Sequence, residues 1–281
     1  MIERWRARVA APPRYALGEG PYWDAPRERL LWVDILAGTV HEGHLAGEHV
    51  IPAGSHVLDR TVGSVVCGRT GQLLVAGTES LLVVDAKGEV SPGPRILPPG
   101  SGRRLNDGAC DPDGLFLVGS LAFDERPGGE TLVRVGADRA VTTIDDGLSL
   151  SNGLGWSPDR RLFYSVDTTA GVVYVREYPD GERRVFLEPG SPDGLCVDAD
   201  GNLWIAIWGG GEVRRYSPDG ELTGVVEVEA PTVTSATFAG PSLDRLVITT
   251  ARLDGHPDSG RLFSADVGAT GLPPTPWAGF D

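Results

Sequence analysis

Short apolar runs recur along the whole chain, each preceded by a polar or glycine-bearing turn. They read LLWVDI after Pro26-Arg27, LLVAG after Arg69-Thr70-Gly71, LFLVGS after Asp111-Pro112-Asp113-Gly114, LFYSVD after Pro158-Asp159, LWIAI after Asp200-Gly201 and LVITT after Pro241-Ser242. Aligned on one apolar residue in each, they fall at Trp32, Leu74, Phe116, Phe163, Trp204 and Val247, at steps of 42, 42, 47, 41 and 43 residues. Apolar runs this short, bounded by Gly, Pro and Asp, are strands joined by tight turns. A repeat in the low forties made of such strands has the period of a propeller blade. Weaker strand pairs, with turns such as Pro179-Asp180-Gly181 and Pro218-Asp219-Gly220, fill the space between the strong hairpins. No stretch keeps a helical period. The pattern therefore predicts an all-β fold, a six-bladed β-propeller with four-stranded blades around a central channel, as one domain over residues 1–281. WRARVA near the N-terminus is expected to add an outer strand to the last blade. The Pro-rich tail GLPPTPWAGFD is expected to dock through Trp277 and Phe280.

The first strand of each unit carries the chemistry. Aligned on a small residue, the six first strands show Gly20, Gly63, Gly108, Gly153, Gly194 and Ala236, which suits backbones crowding an axis. The residues just before them are Glu19, Val62, Asp107, Asn152, Asp193 and Ser235. Singly, an Asx–Gly pair is a turn. In register in a closed ring, Glu19, Asp107, Asn152 and Asp193 face one another near the channel mouth. Two carboxylates about 4–5 Å apart repel by roughly 3–4 kcal/mol at an effective dielectric near 20. Either one of them protonates or a cation sits between them. Carboxylates with an amide carbonyl form an all-oxygen set, which favours Ca²⁺, Mg²⁺ or Mn²⁺ over Zn²⁺.

Composition narrows the partners. The formal net charge of −14 leaves no basic face for nucleic acid and argues against an anionic membrane surface. No apolar run approaches a membrane span, and the N-terminus has no apolar core of a secretory signal. Cys67, Cys110 and Cys196 are odd in number and lack CxxC spacing, so they read as reduced thiols, and a cytoplasmic location is expected. His41, His44, His49 and His56 fall in an outer strand-loop region and read as solvated positions rather than a metal patch. Gly209-Gly210-Gly211 opens no helix and reads as a blade turn, not a phosphate loop. No GxSxG elbow is present. Most tryptophans suit the blade core; Trp208, at a strand end, is the one placed to reach the pocket.

Several motifs go further. Leu17-Gly18-Glu19-Gly20-Pro21 followed by LLWVDI, then RLNDGACDPDG, SNGLGWSPD, PDGLCVDADGNLWIA and VTSATFAGPSLDRLVITTA, occur in the order found in the senescence marker protein/gluconolactonase/regucalcin family. The chain resembles that family from about residue 15 to the C-terminal PWAGF. The resemblance implies one divalent metal in the channel, held by Glu19, Asn152 and Asp193. It implies that Arg104 and Asn106 contact a sugar lactone. Asp107 lacks a direct counterpart among these roles and reads as a supporting group that orients water or the loop. The acid that touches sugar hydroxyls in relatives maps to Asp124, one methylene shorter than the Glu common there, with Glu125 beside it as the alternative.

The reading that follows is hydrolysis of an aldonolactone, with the metal polarising the carbonyl and Asp193 as general base. The expected partner is a small-molecule sugar lactone, with no obligate protein partner. Three other readings stay open on the sequence: a divalent-metal-binding regulator without turnover, a scaffold with a vestigial donor ring, and a hydrolase of other lactones or phosphotriesters at the same metal.

Overall fold

In the computed structural model, described over residues 1–124 and 126–281, the chain forms six sheets arranged in sequence order around one axis. Glu125 lies outside the described residues. The innermost strands are Gly18–Asp24, Ser64–Cys67, Arg103–Cys110, Ser151–Trp156, Pro192–Val197 and Val233–Ala239. Each packs on its neighbour, and the sixth closes on the first. The fold is a six-bladed β-propeller. Among the described residues the only helix is one 3₁₀ turn, Ala25–Arg27, and no helix is long and apolar enough to cross a membrane.

The repeat residues become the glue between blades. Trp32, Leu74, Phe116, Trp204 and Val247 are fully buried, and Phe163 nearly so. Six apolar clusters fill the six blade–blade interfaces. Trp204, Val213 and Val226 of the fifth blade meet Phe238, Leu246 and Phe263 of the sixth. Trp32 and Trp23 of the first meet Val247 and Ala239 of the sixth. Burying such side chains contributes about 1.5–3 kcal/mol each, so the ring is held by lateral packing rather than by one central core. Asp-x-Asp-Gly turns brace the hairpins: Asp198 Oδ1 accepts from the amides of Asp200 and Asn202, and its Oδ2 from Trp204 Nε1 at 2.9 Å.

The ends of the chain seal the ring, in a more divided way than the sequence suggests. Arg8–Val9 does form the outer strand of the sixth blade, antiparallel to Phe263–Asp266. Glu3–Arg6, however, pairs in parallel with Leu222–Glu227 and adds a fifth strand to the fifth blade. One short segment thus stitches two blades together. The tail docks as expected. Gly271 bridges to Asp198 of the fifth blade, Trp277 to Gly68 of the second, and the Ala278 amide donates to the Gly114 carbonyl of the third. The fifth and second blades stand opposite each other in a ring of six. The tail therefore crosses the far face of the ring as a strap, with Pro273 and Pro274 over the channel.

Small residues at the axis are required by the closeness of the strands. A Cβ on Gly153 would lie 2.6 Å from the Asp193 carbonyl oxygen, and one on Gly63 2.5 Å from that of Asn106. Gly153→Ala should therefore push the fourth and fifth blades apart. The expected loss is about 1–3 kcal/mol, seen as a melting midpoint several degrees lower in thermal unfolding by circular dichroism.

Candidate functional site

The inner strands are irregular at nearly the same level. The register with the second strand slips between Glu19 and Tyr22, Leu105 and Gly108, Asn152 and Leu154, Pro192 and Leu195, and Val233 and Ser235. The second blade, where Val62 occupies the ring position, keeps regular pairing. A bulge adds a residue, bends the strand and re-aims a side chain. Here five bulges turn side chains from the blade faces toward the axis. In the first blade the bulge uses its glycine directly: at Gly20 the backbone takes a φ of 51°, in the left-handed region that glycine adopts freely.

Glu19, Asp193 and Asn152 come together at the axis, all buried, and Asp107 adjoins them. Asn152 Nδ2 donates to Asp193 Oδ1 and, at 3.2 Å, to Thr168 Oγ1. With its nitrogen so committed, the amide turns Oδ1 the other way, where this buried oxygen has no hydrogen-bond partner. Glu19 Oε2 accepts from its neighbour Gly20 N at 2.7 Å, and Asp107 Oδ1 from Gly108 N at 2.8 Å.

The electrostatics follow from burial. Glu19 is held well above the ordinary carboxylate range, first by loss of water and then by the charges of Asp193 and Asp107. Asp193 is pushed up in the same way, by burial first and the charge of Asp107 second. Burial raises Asp107 to about 6. Arg104 sits beside them, 7% exposed, its guanidinium pulled down to about 10 by burial although Glu19 and Asp193 oppose the shift. The neighbouring Arg103 points away from this group, its Nε donating to the buried Glu130 at 2.8 Å.

These groups fit a hard cation. A buried amide oxygen without a hydrogen-bond partner stands in the same cluster as three carboxyls whose charges have too little compensation, and such a set gains most from a small positive ion. The carboxyls are at present turned onto nearby N–H groups, and among the described residues no three His, Cys, Asp or Glu side chains converge as a ready-made cage. Beyond the ring the channel continues as a cavity of about 400 Å³, with Asp107 in its wall together with Tyr22, Trp156, Cys196 and Pro273.

Asn106 is less free than its sequence context suggests. Its Oδ1 accepts from Arg104 Nη1 at 2.6 Å and its Nδ2 donates to the Ser151 carbonyl at 2.9 Å. It ties Arg104 to the fourth blade. Asp124 lies in the loop after Phe116–Ala122, with its side chain 61% exposed and paired with Arg126. The structure does not bring it to the ring, and Glu125 is outside the described residues.

Three supporting residues were not singled out by sequence. Asp34 accepts from the amides of Ala16 and Leu17 at 2.8 and 3.1 Å and so holds the approach to Glu19. Asp167 does the same for Ser149 and Leu150 ahead of Asn152, at 2.9 and 3.0 Å. Their signal is the aspartate that ends both LLWVD and FYSVD. Thr168, next to Asp167, sets the Asn152 amide.

Comparison with known proteins gives a consistent picture. Residues 17–252 match the family model described as SMP-30/Gluconolactonase/LRE-like region. Pentonolactonase XacC of Haloferax volcanii is 36% identical over 278 residues, covering 92% of this chain and 93% of that protein. 6-Deoxy-6-sulfogluconolactonase of Pseudomonas putida is 32% identical over 286 residues, covering 94% and 95%. The crystal structure of a calcium-binding protein, regucalcin, from Agrobacterium tumefaciens superposes with a TM-score of 0.91 at 28% identity, covering 98% of each chain.

The raised carboxyl at Asp107 has a consequence for stability. A carboxyl whose folded-state affinity for protons exceeds its unfolded one stabilises the fold while protonated, below about pH 4, and loses that contribution as pH rises through about 6. Asp107→Asn, which cannot ionise, should unfold at a higher temperature than the parent at pH 7.5 in cation-free buffer. The gain should be on the order of 2–3 kcal/mol, should shrink as pH falls through about 6 and should disappear only below about pH 4, as followed by calorimetric melts from pH 7.5 to 3.5.

Proposed function

The chain belongs to the SMP-30/gluconolactonase/LRE-like family, and from that premise we propose that it hydrolyses sugar lactones at the donor ring, with one divalent cation bound there. The observation that carries the proposal is the buried Asn152 Oδ1, left without a partner among Glu19, Asp107 and Asp193. Glu19, Asn152 through Oδ1, and Asp193 are the proposed ligands. The all-oxygen set favours Ca²⁺, Mg²⁺ or Mn²⁺. When bound, the cation supplies Lewis-acid polarisation of the lactone carbonyl and offsets the repulsion among the acids.

The chain's own residues do the rest in this proposal. Asp193 accepts the proton of the attacking water as general base. Its high proton affinity among the other acids suits a group that must hold that proton until the ring oxygen leaves. Arg104, a buried cation beside the ring, receives the carboxylate that ring opening creates. Asn106 keeps Arg104 in place and retains one amide hydrogen for a substrate hydroxyl. Asp107 faces the cavity side of the ring and holds water there. A direct role for Asp124 on the sugar would require it to leave Arg126.

Two variants separate holding the ion from moving the proton. Glu19→Gln should weaken Mg²⁺ or Ca²⁺ binding, measured by titration calorimetry, with activity restored at higher ion concentration. Asp193→Asn should lose about 10²–10⁴-fold in kcat on gluconolactone even with ion in excess. Full activity of Asp193→Asn with ion present would overturn the base assignment. The parent should melt higher with ion than after chelation, by about 2.7 kcal/mol at a hundredfold excess over Kd, and an unchanged midpoint would count against the site.

A further inference from the structure

Hydrogen bonds tie the donors from blade to blade, one residue ahead of three of them. Thr234 Oγ1 of the sixth blade donates to the Gly18 carbonyl of the first at 2.6 Å. Asn106 Nδ2 of the third blade donates to the Ser151 carbonyl of the fourth at 2.9 Å. Ser64 Oγ of the second blade donates to the Asn106 carbonyl of the third at 3.1 Å. Gly18, Ser151 and Asn106 immediately precede Glu19, Asn152 and Asp107. Thr234 and Asn106 hold the same place in their own strands, just before the ring positions Ser235 and Asp107. The fourth and fifth blades are joined at the ring itself, by the Asn152 amide on Asp193.

A carbonyl and the amide nitrogen of the next residue share one rigid plane. A group that pins the carbonyl therefore pins that nitrogen too, and with it the direction in which the next side chain leaves the strand. The pin matters most at Glu19. The regular ladder with the second strand ends at Glu19 and resumes only at Tyr22, with Gly20 in the left-handed region between them. Upstream, Asp34 holds the amides of Ala16 and Leu17. Thr234 holds the step between, at Gly18. Thr234 is itself braced: it is fully buried, and with its proton on the Gly18 carbonyl its oxygen accepts from the equally buried Thr249 Oγ1 at 2.8 Å. The junction is tight, since a Cβ on Gly18 would lie 2.9 Å from the Thr250 carbonyl oxygen of the sixth blade.

We propose that Thr234 is a positioning residue for Glu19: its hydroxyl, reaching across the junction of the sixth and first blades, holds the Glu19 peptide so that the carboxyl is set for the divalent ion. The inference rests on the reading of Glu19 as an ion ligand. It adds to that reading a residue from a blade that supplies none of the proposed ligands. Outer groups that orient ligands are worth about 10–100-fold in metal affinity.

The test compares Ca²⁺ and Mg²⁺ affinity, by titration calorimetry, in the parent, Thr234→Val, Thr234→Ser and Thr250→Val. Thr234→Val keeps the branched shape and loses the hydrogen-bond donor, and its Kd should rise by about tenfold or more. Thr234→Ser keeps the hydroxyl and should bind as the parent does. Thr250 serves as the structural control, because its buried hydroxyl donates within its own blade, to the Arg261 carbonyl at 2.8 Å. Thr250→Val should lower the melting midpoint in chelator, as Thr234→Val does, and leave Kd unchanged. If Thr234→Val does not fold, Thr234→Ala, which removes the hydroxyl without setting a methyl against the Gly18 carbonyl, is read in the same way. An unchanged Kd in the hydroxyl-free variant overturns this inference and leaves Glu19 as a ligand. An equal loss in Thr234→Ser also overturns it, because packing of the methyl would then be the cause. So does an equal loss in Thr250→Val, which would make any buried hydroxyl of the sixth blade equivalent. A parent that binds neither ion overturns both the inference and the reading beneath it.

Discussion

Glu19, Asp107 and Asp193 come to the axis from three different blades; burial raises the proton affinity of all three, and the charge of Asp107 raises that of Glu19 and Asp193 further. That mutual repulsion organises the surroundings. Gly20 and Gly108 turn their amides onto carboxylate oxygens, Asn152 donates to Asp193, and Arg104 lies buried beside the group at a cost in its own basicity. The local donors are too few to balance the charge, and the amide oxygen of Asn152 adds a further unsatisfied acceptor. A site of this kind is unstable as a set of anions and stable with a cation or shared protons, so proton and cation compete for one place.

Holding such a group together needs a rigid frame, and the ring of blades supplies one. Each donor belongs to a strand locked to its neighbours by a buried apolar interface, so its backbone cannot move away from the axis without opening a packed core. Asp34 and Asp167 fasten the strand entrances, and Thr168 fixes the amide of Asn152. The repulsion is thus opposed by packing elsewhere in the molecule, a common arrangement where local strain serves function.

Much of this was legible from the amino-acid order alone, and the parts that were not have physical reasons. The blades were visible because six apolar residues recur at one spacing, and all six are buried between blades. The donors were visible because each precedes a small residue that the crowded axis demands. The bulges were not, since an extra residue in one strand leaves no mark on a period-two pattern beyond the glycine itself. Nor does sequence show that the Asn106 amide is already engaged at both ends, or that Asp124 is held by Arg126, because both depend on which partner a side chain finds after folding. The split of the N-terminal segment between two blades was hidden for the same reason: Trp5 packs on Trp204, a contact between distant parts of the chain.

The strap across the far face changes what kind of opening the channel is. Running from the fifth blade to the second, with two prolines over the axis and Trp277 packed beneath, it turns a tube into a well. The strap covers the cavity side of the ring, so the face at which the inner strands begin is the side from which the donors are approached, and entry and exit share it.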